Sequence, residues 1–589
     1  MIVRMKKVHL LVRAKEIYPA LDILRGLGVV HVEPLNEPRG GRSALVREHL
    51  IELEKVFALL EQSKPGEVSA ASGDDALSVV NRVLQLAGTI DQVEERLQTR
   101  AAAIARWAAW GDFDPADISF LRERGVCVGL FEGPNTDIHK FPSEAIVKVI
   151  DSSSGRIRAI VITRTSLDIP GMLPDLPRER LSLLQAAQQA DQRELAGLRQ
   201  LLARYCSDKP VLVRAMAEWT QDLRLEEAAE GMLGAGPLSV LKGFCPEEKV
   251  PQLQARAQGE GWGILTEDPA AGDRIPTLLR NPGWVRVIQP LFDFMTILPG
   301  YREADVSLCF LVFFSLFFGI LIGDAGYGAI FLAGTFWLQR KAPRDADPSP
   351  FRLMYLLSAC AILWGLATGT VLGVSLFARW IHPAVPWLTE TRHVQHLCFM
   401  IGVVHLTIAH VWRGIRKWPS LSVIGELGWI ALLWCAYFLS CKIILNHVVP
   451  AFMMPLLWSG VALVVLFNQP DRNLLKAIGM GTGDLLLGIM GVLIDLISYI
   501  RLFAVGAAGL ALAESFNAAV TSLGFGNIFA GLGTALILVL GHALNITLSM
   551  MAVLVHGLRL NILEFSVHQG IEWTGVKFDP LRKEQTINI

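Results

Sequence analysis

The hydrophobic pattern of this chain changes character near residue 290. Before that point apolar residues come in short runs or at helical spacing. After it they gather in long, nearly unbroken stretches. The opening run VHLLV is short and β-branched and predicts a strand. EIYPALDILRGLG predicts an amphipathic helix stopping at Gly28, and VVHVEPL a second strand. That order predicts a small α/β lobe. Residues 43–62 place Val46, Leu50, Leu53, Phe57 and Leu60 at spacings of 4, 3, 4 and 3, a heptad seam. A Gly-, Ser- and Pro-rich linker follows at 63–75. A second seam runs through Leu86, Ile90, Val93 and Leu97, and a third helical stretch covers 177–205. β-rich segments at 126–133 and 145–165 lie between the second and third. Helical arms that leave and return in this way predict a long antiparallel coiled coil joining α/β lobes. An ordinary helical bundle is the plainer alternative.

The second half predicts an α-helical polytopic membrane domain of about eight spans. They lie near 306–322, 324–339, 353–377, 395–412, 424–446, 449–467, 484–520 and 527–565, the last two long and tilted. GDAGYG at 323–328 allows the first two to be one kinked helix. Loop charge sets the orientation. With eight spans the inner loops hold Arg340, Lys341, Arg344, Arg352, Arg413, Arg416, Lys417, Arg472 and Lys476, and the tail adds Lys577, Arg582 and Lys583. The outer loops hold Arg379, Arg392 and Lys442. The start, MIVRMKKVHLLVRAKEIY, has no signal-peptide apolar core. Both termini are therefore expected in the cytoplasm. The expected division is a cytoplasmic arm at 1–290, a linker at 291–305, a membrane domain at 306–565 and a cytoplasmic tail at 566–589.

Composition adds mostly exclusions. A chain 52% hydrophobic and 19% charged fits a membrane protein with a water-facing part, and a net charge of −1 argues against nucleic acid as a partner. The eight cysteines form no CxxC pair or metal-ligand spacing and read as reduced or buried apolar residues. No GxxxxGK[ST] phosphate loop occurs. GMGTGD at 479–484 lacks the lysine and does not follow a soluble strand, so it reads as a flexible loop before a membrane helix. No catalytic site, cofactor or metal is expected.

The chemistry lies in charges at membrane depth. GDLLLGIMGVLIDLISYIRLFAVGAAGLALAESFN, residues 483–517, carries Arg501 in its middle. Such a charge costs roughly 2.5–3.5 kcal/mol on insertion scales, and an arginine does not escape by losing its proton. A buried fixed cation is a functional hypothesis by default. The plainer reading is that Arg501 snorkels or pairs permanently with Asp495. The last span carries a second arginine, Arg559, three residues after His556. Asp484 precedes Arg501 by 17 residues and falls within about 20° of the same helical face, roughly 25 Å away. Asp324, His405, His410, Glu426, Asp495, Glu514, His542, Asn545 and Glu564 are the other polar groups at this depth. Taken singly, each histidine reads as a hydrogen-bonding structural group.

Four stretches resemble one known family, the membrane stator of the rotary V/A-type ATPases, called subunit a or subunit I, in its prokaryotic form. DLISYIRLFAVGAAGLALAESFN resembles its arginine-bearing helix. HGLRLNILEF with GVKFDP resembles its last helix and tail, and FFGILIGDAGYG its first membrane hairpin. MKKVHLLVRAKE…LGVVHVEPL and LKGFCPEEKVPQL resemble its cytoplasmic lobes. The resemblance implies a non-catalytic subunit that couples H⁺ or Na⁺ translocation to rotation. Arg501 would be the principal partner of the carboxylates on a ring of c subunits, and Arg559 the supporting one. Glu426 and Asp484 would serve the cytoplasmic half-channel, and Asp324, Glu514, His542 and Ser549 the outer one. Asp495, His556 and Glu564 complete the ion-translocation set. Implied partners are the c-ring proteolipids, peripheral stalk subunits of the E/G type, a central-stalk cap of the d/C type, and the lipid of a prokaryotic plasma membrane. Two positions depart from eukaryotic members, which often carry His where this chain has Gly509 and Glu where it has Ser549. A secondary transporter or a receptor with a cytoplasmic sensing domain is the rival class, although no inverted repeat relates spans 1–4 to 5–8.

Overall fold

The computed structural model describes residues 1–36, 41–63, 74–153, 156–164, 171–173, 176–343, 346–373, 382–471, 473–523 and 528–583. Most of the 63–75 linker, Arg344, Arg379, Arg472 and residues 374–377 of the third expected span lie outside them. The chain divides into two compact units. One contains Met1–Val8, Phe244–Ala257 and Leu265–Pro580. The other contains His9–Gly243, Gln258–Ile264 and Leu581–Ile589.

The elements of the first half are β1 (Met5–Arg13), α1 (Ile17–Leu27), β2 (His31–Glu33), α2 (Gly41–Gln62), α3 (Ala76–Trp107), α4 (Pro115–Glu123), β3 (Cys127–Pro134), β4 (Ile146–Ser153), β5 (Arg156–Thr163), α5 (Leu181–Arg204), α6 (Lys209–Glu230), β6 (Leu233–Ala235), β7 (Leu238–Pro246), α7 (Val250–Gly259) and β8 (Gly263–Glu267). One sheet has the order β2-β7-β1-β8, with β6 on β7, and a second has the order β3-β5-β4. The strand–helix–strand opening is present as β1-α1-β2. The heptad-spaced helices pair antiparallel. Across α3 and α5, Arg96 meets Glu194 at 2.9 Å, Arg199 meets Glu94 at 2.8 Å, and Arg100 is bonded to the buried Asp191. Across α2 and α6, Arg47 meets Glu227 and Ser43 meets Glu230. Residue numbers rise on one helix as they fall on its partner, which fixes the antiparallel sense. Leu53, Leu60, Val83, Leu202 and Leu212 share one core between the pairs. Asp114 caps α4 by accepting the Ala116 N–H and pairs with Arg180. These contacts hold its carboxyl below the usual range.

The second half continues with β9 (Pro276–Thr277), α8 (Gln289–Met295), α9 (Ser307–Ile322), α10 (Ala325–Lys341), α11 (Ser349–Thr368), α12 (Thr391–Lys417), α13 (Ser422–Leu445), α14 (Met453–Phe467), α15 (Leu474–Ile497), α16 (Ile500–Leu523) and α17 (Ile528–Ala552). Two π-helical turns (Val553–Gly557 and Leu560–Phe565), α18 (Ser566–Gln569) and β10 (Val576–Lys577) close it. Helix occurs in each of the eight stretches expected to span. Among the described residues, five helical stretches are long and apolar enough to cross a membrane, with α15 and α16 counted as one and α17 run on to Gln569, or six if the bent pair α9–α10 is one span. The 15 residues of α14 reach only about 22 Å, short of a ~30 Å hydrocarbon core. Phe310, Phe314, Phe317 and Phe318 of α9 are buried in the main core. A helix apolar all round belongs there. Leu487, Phe529 and Val539 are strongly exposed. A surface of that kind fits lipid.

Two local features depart from the sequence-based reading. GMGTGD, expected as a loop, lies inside α15. Gly481 lets that helix approach α14, because a Cβ there would stand 2.3 Å from the Val465 carbonyl oxygen. The stretch 484–520, expected as one continuous helix, is interrupted at Ser498–Tyr499, directly before Arg501.

The bend between α9 and α10 is 119°. Asp324 sits at its apex, 4% exposed. Its carboxylate accepts the N–H groups of Gly326 (2.7 Å), Tyr327 (3.1 Å), Leu372 (2.9 Å) and Gly373 (3.1 Å). Gly365 of α11 packs on this apex so closely that a Cβ would fall 2.1 Å from the Ala325 nitrogen. Asp324→Ala would strip four buried donors of their acceptor. The expected loss is on the order of 3 kcal/mol, read as a lowered thermal midpoint of the purified subunit. A midpoint unchanged from wild type would contradict the capping role.

Candidate functional site

Both arginine-bearing segments are irregular where the arginine sits. Arg501 follows the break between α15 and α16, and its Nε donates back to the Ser498 carbonyl oxygen at 3.1 Å. Arg559 lies between the two π-helical turns, a distortion often found at functional sites. The two side chains meet on one atom. Arg501 Nη2 donates to Glu564 Oε1 at 2.8 Å, and Arg559 Nε lies 3.4 Å from the same oxygen. Glu564 is 3% exposed, Arg501 25% and Arg559 51%. The carboxylate is thus the buried anchor, and the cations reach outward from it. A guanidinium carries five N–H groups. Ser498 and Glu564 engage two of those on Arg501, which leaves three without a partner among the described residues. Two cations and one anion leave the cluster a net charge of +1. Asp495, the partner weighed for Arg501 from sequence, is bonded to His568 instead.

A second polar group surrounds a cavity of about 590 Å³ lined by His410, Arg413, Lys417, Asp484, Asp495 and His568 among others. Asp484 accepts from Asn468 Nδ2 (2.6 Å) and Gln469 Nε2 (2.8 Å). Glu426, 2% exposed, stands behind the wall. It meets His410 Nδ1 at 2.8 Å, Lys417 Nζ at 2.5 Å and Arg413 Nε at 3.3 Å. The structure therefore brings Glu426, Asp484 and Asp495 into one neighbourhood.

Of the expected outer residues, Asp324, His542 and Ser549 gather around Tyr327 and Asn545, while Glu514 lies apart. Asp324 is the saturated cap described above. Both ring nitrogens of His542 are engaged. Its Nδ1 faces the Tyr327 hydroxyl at 2.8 Å and its Nε2 faces Asn517 Oδ1 at 3.2 Å, while Asn545 Nδ2 donates to Tyr327 and to the Gly509 carbonyl. Asn517 Oδ1 only accepts, so Nε2 carries the proton and Nδ1 accepts from Tyr327. Ser549 is buried beside this network, and a Cβ on Gly509 would lie 3.5 Å from its Oγ and 3.6 Å from Asn545 Oδ1. The two positions that depart from the eukaryotic pattern thus face each other across α16 and α17. Glu514 lines a separate cavity of about 490 Å³ with Thr370, His382, Leu502 and Gly506. His556 sits in the first π-helical turn, its buried Nδ1 without a partner among the described residues.

The sequence-based reading passes over His568, takes Arg413 and Lys417 only as loop charges, and treats Asn545 and His410 singly. The spacing of four residues between Glu564 and His568 was the available signal, since it puts both on one helical face.

Residues described so far define an integral membrane protein with a guanidinium–carboxylate cluster on adjacent apolar helices. No family model matches the chain. It is 30% identical over 614 residues to the V-type ATP synthase subunit I of Borreliella burgdorferi, covering 99% of this chain and 100% of that one. It is 30% identical over 638 residues to V-type ATP synthase subunit I 1 of Treponema pallidum, with the same coverage. A 24% identity over 371 residues relates it to the A-type ATP synthase subunit I of Methanocaldococcus jannaschii, over 56% of this chain and 52% of that one. The chain belongs to the V-type ATP synthase subunit I family. It is a non-catalytic stator subunit of a rotary ATPase, and the transporter and receptor readings fall away.

A double-mutant cycle tests the shared carboxylate. Arg501→Gln and Glu564→Gln should each destabilise the subunit, and the pair should show a coupling energy of about 1–3 kcal/mol in thermal unfolding. Strictly additive effects would mean that the contact has no energetic weight.

Proposed function

We propose that Arg501 is the fixed cation against which the ring carboxylates of the rotor exchange their ion. The observation that carries this reading is the cluster's unbalanced charge. Glu564 and Ser498 orient the Arg501 guanidinium, yet three of its N–H groups and one unit of positive charge stay available. One carboxylate from outside the chain would satisfy both. A carboxylate in lipid is neutral, through protonation or a bound Na⁺, because burial disfavours its anion. Beside Arg501 it ionises, because an opposite charge favours the charged form. Two water-filled half-channels, one from each side, then load and unload the ion.

The 590 Å³ cavity with Asp484, Asp495 and Glu426 is the inner half-channel in this proposal. The 490 Å³ cavity, with Glu514 and His382, is the outer one. Asp324 and His542 hold the fold around the outer path rather than carry the ion, since their polar atoms are engaged within the chain, and Ser549 is buried beside them. Arg559 helps fix Glu564 and adds to the local potential. Both termini face the cytoplasm by the loop-charge asymmetry. The antiparallel helix pairs of the first half would be the arm of the stator, binding peripheral stalks of the E/G type and a d/C-type cap.

Arg501→Ala should abolish ATP-driven ion pumping by the reconstituted enzyme while soluble ATPase activity persists. Pumping at the wild-type rate would overturn the proposal. Single cysteines at Ala504 and Ala508, both exposed and on the Arg501 face, should cross-link in native membranes to a small proteolipid near its carboxylate. Leu502, buried in the core, should not.

A further inference from the structure

One imidazole touches both segments that carry the arginine–carboxylate pair. His405 of α12 is wholly buried and lines neither of the two cavities described above. Its ring is held between two aromatic faces. Phe313 of α9 stacks on it with ring centroids 3.8 Å apart and planes 20° from parallel, and Phe565 does so at 4.3 Å and 11°. Two rings at such distances cannot share one face, so the imidazole is the middle layer. Its Nδ1 lies 2.8 Å from the Tyr499 hydroxyl. Its Nε2 has no partner among the described residues, which leaves the bond to Tyr499 as the ring's one directional contact there. Tyr499 is itself wholly buried and stands in the break between α15 and α16, two residues before Arg501. Gly402, almost one turn before His405, admits the phenol ring, since a Cβ there would stand 2.7 Å from Tyr499 Cγ. Phe317 meets the same ring edge-on at 6.0 Å. Phe565, the other neighbour of the imidazole, directly follows Glu564. A phenylalanine at 405 could stack in the same way. The imidazole adds a nitrogen for the phenol, whose hydroxyl would otherwise be buried without a partner at some cost.

We propose that His405 is a positioning residue for the ion exchange at Arg501. It fixes Tyr499 through one hydrogen bond and Phe565 through stacking, and so sets where Arg501 and Glu564 stand relative to each other. The proposal rests on the stator reading above and adds how the arginine is held. His405 acts through its neighbours and does not touch the ion. The three N–H groups that Arg501 keeps free serve only if they stand where the passing carboxylate arrives. A misplacement of about 1 Å can cost on the order of 10²-fold in rate. Each rotor carboxylate also pulls on Arg501 as it passes. Ser498 and Glu564 hold the guanidinium directly, yet both belong to irregular segments, the break and the second π-helical turn. His405 ties those two segments to each other and to the regular helices α9 and α12.

The test uses the complete enzyme in liposomes. The ATP-driven membrane potential is read by a voltage-sensitive dye, so the result does not depend on whether H⁺ or Na⁺ moves. The initial rate is divided by the amount of assembled enzyme. His405→Phe keeps the stack and drops the hydrogen bond, and Tyr499→Phe removes a single hydroxyl. Each should lower the rate per assembled enzyme about tenfold. The double variant should be no slower than either single one, because both remove the same bond. A purely structural pair would lower the yield of assembled enzyme and leave the rate per enzyme at the wild-type value. That result in Tyr499→Phe, or losses that multiply in the double variant, would overturn the proposal. If His405→Phe does not assemble, Tyr499→Phe alone decides. Arg501→Ala separates the two levels. If it still builds a potential, the stator reading itself fails. If it is silent while Tyr499→Phe runs at the wild-type rate, only the positioning role fails.

Discussion

The membrane site depends on one buried oxygen. Glu564 Oε1 receives Arg501 and lies within ion-pair distance of Arg559, and its carboxylate is almost wholly inaccessible. A lone carboxylate in such surroundings would be costly, as would either arginine at membrane depth. Together they are mutually supporting yet do not neutralise. The backbone is shaped to this meeting. At the break at Ser498–Tyr499 the Ser498 carbonyl accepts both the backbone N–H and the Nε of Arg501, and the opposing helix widens into π-turns on both sides of Arg559. The proposed function rests on this surplus positive charge rather than on the arginine as such.

Saturation separates structural polar groups from available ones. Asp324 accepts four backbone N–H groups, three on Oδ1 and one on Oδ2, which offsets the cost of its burial. His542 bridges Tyr327 and Asn517 in a single tautomer. Asp484, Asp495 and Glu514 instead line cavities, where a mobile ion or water has access to them. Depth in the membrane is common to all these residues. What differs is whether the chain itself has used them up.

The helix pairs of the first half obey a different economy. Their seams bury aliphatic side chains, and Arg–Glu pairs flank them at the surface. Exposed pairs of this kind contribute only ~0–1 kcal/mol each. They fix register and antiparallel sense more than stability. The buried Asp191, held by Arg100, is the exception, since removing either partner would leave an uncompensated charge.

Much of this was legible from the sequence alone. Long apolar runs set where the membrane helices lie, because a ~30 Å hydrocarbon layer admits little else. Heptad spacing set the helical arms, and the β-branched runs set the strands. Arg501 and Arg559 stood out because a fixed charge among apolar neighbours is costly unless something offsets it. Other features needed the tertiary structure. GMGTGD reads as a loop until Gly481 is seen to admit the close approach of α14. Asp324 and Asp495 look alike in sequence, yet one is consumed by backbone donors from a segment some 48 residues away and the other is left beside a cavity. The choice of Glu564 over Asp495 as the arginine's partner, and the line from Glu426 through His410 and His568, join residues up to 158 positions apart. Local pattern reports which groups are out of place in an apolar stretch. Only packing decides which of them meet, because hydrogen bonds act over about 3 Å in space and carry no memory of distance along the chain.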